Sequence, residues 1–383
     1  MFSSRLHWDL RPNRIAAALT ARTGPVLDLT ESNPTRAGLE YDPTILQSFT
    51  DPRSLVYEPA PNGLAETRSA VAAAYSSRGV EVRPDRILLT ASTSESYSWL
   101  FKLLCDPGDD VLVPRPSYPL FDFLAALECV RVVQYPLAYH GRWIMDFDEM
   151  ERAVTPRTRA VVLVNPNNPT GSFLKRDERD QLAAFCSSRG LAIISDEVFA
   201  DYPLRPDPNR VTTLAGYDDV LAFSLGGLSK QAGMPQMKLG WMVAGGPDAL
   251  RHDALERLEL IADTYLSVST PVQHAAAQLI AAGDQVGRTI LSRVRANYDF
   301  VRGLVCGACE LLDAEGGWYV TLRVPRTRTE EEWTLELLEH ENVLVQPGFF
   351  YDFENEAYLV LSLLTPPGVF QEGARRVVNR AKL

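Results

Sequence analysis

VLAFSLGGLSKQAGMPQMKLGW, residues 220–241, is the stretch from which the rest of the chain is read. Residues 220–223 form a short apolar run of strand type. The run breaks at Ser224, Gly226 and Gly227 and then presents Ser229 and Lys230. The chain has five lysines, and Lys230 and Lys238 both lie here. Of the others, Lys102 falls in a helical pattern, Lys175 sits among charges and Lys382 is next to the last residue. A lysine that follows a strand and a glycine-rich turn is held rigidly and partly desolvated. Desolvation favours the neutral amine, the form that attacks a carbonyl to make a Schiff base. The plain alternative is a lysine on a surface loop.

Working outward, the same strand-then-turn pattern recurs. Residues 191–199, LAIISDEVF, form a strand with Asp196 where the apolar run stops. Residues 160–164, AVVLV, run into NPNNPTG, a turn stiffened by two prolines and a glycine that holds the Asn168 amide in place. Residues 110–114 form a strand followed by RPSYP, which carries Tyr118. Residues 87–91, ILLTA, lead straight into Ser92, Thr93, Ser94 and a helix. Hydroxyls and free N–H groups at a helix start suit a phosphate, and they also serve as plain caps. Two further runs, 130–137 and 239–245, complete seven strands alternating with helices. This predicts an α/β fold with a mostly parallel, seven-stranded sheet sandwiched by helices. In such sheets ligands bind beyond the carboxyl ends of the strands. Thr93, Tyr118, Asn168, Asp196 and Lys230 each follow a different strand at that end.

The flanks differ. Residues 1–24 read as an arginine-rich arm, followed by VLDLTESNPTRAG with Asn33 and Arg36 on a turn. Tyr57 opens a segment punctuated by Pro59, Pro61 and Gly63. Residues 247–305 are helical in pattern, and three strands around one helix follow, a smaller α+β unit. The expected division is 1–45 for the arm and part of the small domain, 46–285 for the large domain and 286–383 for the small C-terminal domain.

Composition narrows the classes. Hydrophobic residues make up 46% and charged residues 23% of 383, ordinary for a soluble globular chain. A net charge of −11 with no basic stripe argues against nucleic acid. The first residues show no apolar signal region and no run approaches a membrane span, so the expected location is cytoplasmic. Five cysteines suggest no disulfide framework, and the Cys306/Cys309 pair lacks a second pair of metal ligands, so no metal is expected.

A Schiff-base lysine, an aromatic stacker, an acid, an amide and a phosphate cup at a helix start together suit pyridoxal phosphate. NPNNPTG, SDEVF and LSK, in that order and spacing, make the chain resemble the class I/II aminotransferases of the fold-type I pyridoxal-phosphate enzymes, from about residue 28 to the end. The resemblance implies an aspartate-aminotransferase-like fold. It also implies transfer of an amino group between an amino compound and a 2-oxo acid, and a homodimer with shared active sites. By resemblance Lys230 is the cofactor lysine, Asp196 pairs with the pyridine nitrogen and Asn168 meets the ring oxygen. Tyr118 stacks on the ring, Thr93, Ser94 and Lys238 hold the phosphate, and Tyr57 reaches the neighbouring subunit's phosphate. Four positions depart from the family pattern: Phe199 stands for a tyrosine, Gly227 for a hydroxyl residue, Lys238 for an arginine, and Val360 for the arginine that clamps the substrate carboxylate. Arg36, with Asn33 beside it, is the expected replacement clamp, and Arg115 the second candidate. A lyase, decarboxylase or racemase on the same carbanion chemistry is the alternative, and a non-catalytic binding or regulatory module the third reading.

Overall fold

The structure is a computed structural model that describes residues 2–6, 8–355 and 357–382. In chain order its strands are β1 (Leu27–Asp28), β2 (Ile87–Thr90), β3 (Asp110–Arg115), β4 (Arg131–Tyr139), β5 (Trp143–Met145), β6 (Thr158–Val164), β7 (Ala192–Asp196), β8 (Ala222–Gly227), β9 (Gly240–Gly245), β10 (Glu310–Leu311), β11 (Tyr319–Arg323), β12 (Val343–Leu344), β13 (Gln346–Pro347) and β14 (Tyr358–Ser362).

The large sheet runs β2-β9-β8-β7-β6-β3-β4-β5. The pairs from β4 through β8 are parallel, while β9 is antiparallel to both β2 and β8. The sheet has eight strands where the sequence predicts seven. The addition is the three-residue β5, antiparallel to β4 at the edge, too short to show a period. Alternation along the central strands explains the layering. Val113, Val162, Ile194 and Phe223 pack with Leu100, Phe101 and Leu258 of the helices Thr93–Leu104 and Asp248–Tyr265. Leu112, Val161 and Ile193, one residue out of phase, pack on the other face with Leu182 and Cys186 of helix Arg176–Ser187. Each fully buried large aliphatic side chain contributes about 1.5–3 kcal/mol, so both faces hold the sheet firmly.

The small sheet runs β10-β11-β14-β13, and every pair in it is antiparallel. β1 pairs in parallel with β12, which ties the N-terminal segment to the C-terminal part of the chain. The expected boundary at residue 285 falls inside one helix, Thr270–Leu304. A buried ion cluster joins the large sheet's turns to the small sheet. Lys175 Nζ lies 2.5 Å from Asp207 Oδ2 and 2.6 Å from Glu315 Oε1, while Glu315 Oε2 accepts from Phe173 N at 3.0 Å. Lys175, read from the sequence as one lysine among charges, is only 4% exposed. Among the described residues no helix is long and apolar enough to cross a membrane.

Candidate active site

β2 runs in the direction of the parallel strands, so its carboxyl end joins theirs on one edge of the sheet. A cavity opens there, lined by residues that include Ser32, Ser92, Thr93, Tyr118, Asn168, Asp196, Phe199, Lys230 and Tyr319. All five residues expected to converge are in it.

Lys230 lies on the short helix Leu228–Gln231 directly after β8. Its ammonium is 5.3 Å from the centroid of the Trp318 ring and 6.0 Å from that of Phe199. Burial pushes the Lys230 amine below its usual range, while the nearby Asp196 carboxylate acts in the opposite direction. Tyr202 Oη donates to the backbone oxygens of Lys230 at 2.6 Å and Gln231 at 3.1 Å, which fixes the short helix from below.

Asp196 ends β7 and is 9% exposed. Burial raises its carboxyl to about 6, against smaller lowering effects from the Val198 N–H, the Tyr97 hydroxyl and the Lys230 charge. Tyr97 Oη donates to Asp196 Oδ2 at 3.1 Å and Val198 N to Oδ1 at 3.2 Å.

The asparagine-rich turn after β6 divides its labour. Asn165 Nδ2 donates to Val211 O at 2.8 Å and its Oδ1 accepts from Leu174 N at 3.0 Å. Asn167 Nδ2 donates to Pro116 O at 3.0 Å and to Thr170 Oγ1 at 2.9 Å, and its Oδ1 accepts from Ser117 Oγ at 3.2 Å. Those two amides build the turn. Asn168 Oδ1, by contrast, is buried without a partner, in the cavity.

At the helix start Ser92 is the cap: its Oγ accepts from Glu95 N at 3.3 Å, and Glu95 Oε2 accepts from Ala91 N at 2.7 Å. Ser92 and Thr93 line the cavity, whereas Ser94, at the second helical position, is exposed and outside the lining. Lys238 is also exposed and outside it, in a left-handed conformation at φ 52°. The glycine at 227 has a local cause. A Cβ there would sit 3.1 Å from both Gly240 Cα and Leu239 O, so the close approach of β8 to β9 leaves little room for a hydroxyl side chain.

The residues expected at the substrate side lie elsewhere. Arg36 is exposed and outside the lining, and Asn33 Oδ1 is taken up by Thr35, accepting from its N at 3.0 Å and its Oγ1 at 2.7 Å. Their neighbour Ser32 lines the cavity instead. Arg115 Nε donates to Asp352 O at 3.1 Å, away from the cavity. Tyr57 is 73% exposed on a separate stretch. Ser32, Tyr97, Tyr202, Trp318 and Tyr319 carry no sequence signal, because a serine in a turn and core aromatics in ordinary helices and strands look like packing.

Residues 26–367 match the family described as aminotransferase class I and II. The chain belongs to this family. The glutamate-pyruvate aminotransferase AlaA of Escherichia coli K12 is 27% identical over 303 residues, 76% of this chain and 74% of its own. An alanine aminotransferase of Mycobacterium tuberculosis H37Rv is 27% identical over 372 residues, 91% and 84% of the two chains. Among solved structures, an aminotransferase from Escherichia coli superposes with a TM-score of 0.86 at 24% identity, covering 100% of this chain and 98% of that one. An alanine aminotransferase from Pyrococcus furiosus gives 0.86 at 23% identity, covering 96% and 95%. These two likenesses show the fold alone, that of fold type I.

The cavity of this aminotransferase fits the family's cofactor on its own chemistry. It offers a partly desolvated amine at Lys230, a buried acid at Asp196 and, at Asn168, an amide whose Oδ1 is unpartnered and whose NH2 end is the one able to donate to a ring oxygen. It also offers a capped helix start at Ser92 and Thr93.

Proposed function

We propose that this chain is a pyridoxal-phosphate-dependent aminotransferase that moves an amino group between an amino compound and a 2-oxo acid. The observation that supports it most is the Lys230 amine and the buried Asp196 carboxyl in one cavity at the carboxyl edge of the sheet. Pyridoxal phosphate, once bound, supplies an aldehyde for an amine and a ring that withdraws electrons from the carbon bearing it. The chain's residues do the rest. Lys230 would hold the aldehyde through its amine, with loss of water, and, once displaced by the substrate's own amine, would be free to move the proton at the substrate's amine-bearing carbon. Asp196, held by Tyr97 and the Val198 N–H, keeps a proton on the ring nitrogen. Asn168 turns its uncommitted amide to the ring oxygen, and Tyr118 covers the ring. Ser92, Thr93 and the free N–H groups of the helix start meet the phosphate. Lys238, next to Leu239 of the lining, adds a point charge, with Ser94 as an outer hydroxyl.

The exposed apolar run Leu55, Val56 and Tyr57, at 90%, 64% and 73% exposure, supports a homodimer in which Tyr57 reaches the partner's phosphate. A cytoplasmic location is part of the same reading.

Glutamate with pyruvate, and alanine with a 2-oxo acid, are the first pairs to assay, since relatives carry glutamate, pyruvate and alanine in their names. The loaded protein should change its visible spectrum with an amino compound and recover it with a 2-oxo acid. Release of carbon dioxide or racemised amino acid without amino transfer would replace this reading by a decarboxylase or racemase.

Phe199 sets a further expected result. It is 5% exposed and packs edge-on against Trp318, with ring centroids 5.2 Å apart. A phenyl ring cannot donate to the cofactor's ring oxygen, which leaves Asn168 as the donor. Phe199→Tyr adds a donor that stabilises the oxygen's anion, so the visible band of the loaded protein should titrate at lower pH. An unchanged or higher midpoint would contradict this.

A further inference from the structure

A second cavity, of about 490 Å³ against about 150 Å³ for the one that holds Lys230, opens between the edge of the large sheet and the small sheet. Its wall comes from β4, β5 and the segment that leads into β14, and it shares no lining residue with the first. Amino transfer as read above makes no use of it.

Four aromatic side chains line this cavity and touch in sequence. The Tyr139 and Trp143 ring centroids are 5.0 Å apart with the planes at 56°, those of Trp143 and Phe353 6.1 Å apart at 64°, and those of Phe353 and Tyr358 4.6 Å apart at 30°. Rings set at such angles make a curved wall and not a flat stack. Tyr139, Phe353 and Tyr358 are half-buried, so part of each ring stays open. Among the described residues no lysine or arginine lies over any of the four. Trp143 is 8% exposed and its Nε1 is buried without a partner, which leaves one N–H for an acceptor.

The charge on the wall is negative. Asp146, Glu149 and Glu354 line the cavity, and Arg115 is the one cation among the described lining residues. Arg115 lies 3.4 Å from Glu354, and Glu149 is paired with Arg152. Asp146 caps the helix Phe147–Ala153, its Oδ1 accepting from Glu149 N at 3.0 Å. A metal ion does not suit these acids: among the described residues no group of three His, Cys, Asp or Glu is placed to hold one. An aromatic wall with an acid at its rim favours a large cation that carries alkyl surface. The ring faces attract the charge, and such a cation loses less hydration on entering than a small ion does.

We propose that this cavity binds a small organic cation of quaternary-ammonium type, its methyl groups against the Tyr139, Trp143, Phe353 and Tyr358 rings and Asp146 as counter-charge.

Calorimetry on the cofactor-loaded full chain compares choline with 3,3-dimethylbutan-1-ol, which has the same shape with carbon in place of the charged nitrogen. Choline should saturate a site and bind at least about ten-fold tighter than the alcohol, the scale of a desolvated cation–ring contact. Phe353→Leu keeps apolar bulk but loses a ring, and should weaken choline several-fold. Asp146→Asn removes the charge and keeps the cap, since asparagine caps a helix as well as aspartate does. It should weaken choline several-fold, leave the alcohol unmoved and leave the circular dichroism unchanged. Choline should bind equally before and after the chain is loaded with pyridoxal phosphate. Heats that never saturate, equal affinity for choline and the alcohol, or unchanged affinity in both variants overturn the proposal. So does choline binding that is lost on cofactor loading, which places the cation in the Lys230 cavity. None of these outcomes bears on amino transfer, which stands or falls on its own assay.

Discussion

Lys230→Ala is expected to lower kcat for amino transfer by at least about 10³-fold, because one side chain both bonds the cofactor and moves the substrate proton. No other described lysine lines the cavity, and Lys238, the nearest in sequence, is exposed and outside it. The fold should survive: the short helix is anchored through the backbone oxygens of Lys230 and Gln231, which accept from Tyr202, and not through the lysine side chain. Steady-state kinetics, with circular dichroism as the folding control, checks this. The variant should release cofactor on dialysis while the wild type retains it. Activity within ten-fold of wild type would remove Lys230 from the chemistry.

Asp196→Asn should cost about 10²–10³-fold in kcat. Asparagine keeps the size and a hydrogen bond but cannot hold a proton on the ring nitrogen, so the ring withdraws electrons less well. The effect has a pH counterpart in the protein without cofactor. Burial raises the Asp196 carboxyl from the usual carboxylate range to about 6, so the folded state favours the protonated form. The unfolded chain then loses that proton at lower pH than the folded one, and folded stability falls as pH rises from about 4 through about 6. Asp196→Asn removes that slope. Thermal unfolding across this range, wild type against variant, reads it directly, and equal slopes would contradict the assignment.

The sequence made the parallel sheet legible because its strands are buried on both faces and read as unbroken apolar runs. It made Thr93, Tyr118, Asn168, Asp196 and Lys230 legible because each follows such a run at the same end. What stayed hidden has a physical pattern. β5 is three residues long and has no period to read. Ser92 is the true cap of its helix, one residue before the expected phosphate pair, and caps shift easily by one in a run of hydroxyl residues. Tyr97 and Tyr202 act from a helix face and a loop, through hydroxyls whose targets are set by tertiary packing. Arg36 carries the charge a carboxylate clamp needs, yet the turn that follows Asn33 leaves it exposed and seats Ser32 in the lining. The Lys175–Glu315 pair spans 140 residues of sequence, so no local pattern announces it.

Borohydride reduction of the cofactor-loaded protein, followed by peptide mapping, tests the central claim most directly, because it marks the lysine bonded to the cofactor. The label should fall on Lys230, within LGGLSKQAG of residues 225–233. A label on Lys238, or no stable label, would contradict the account.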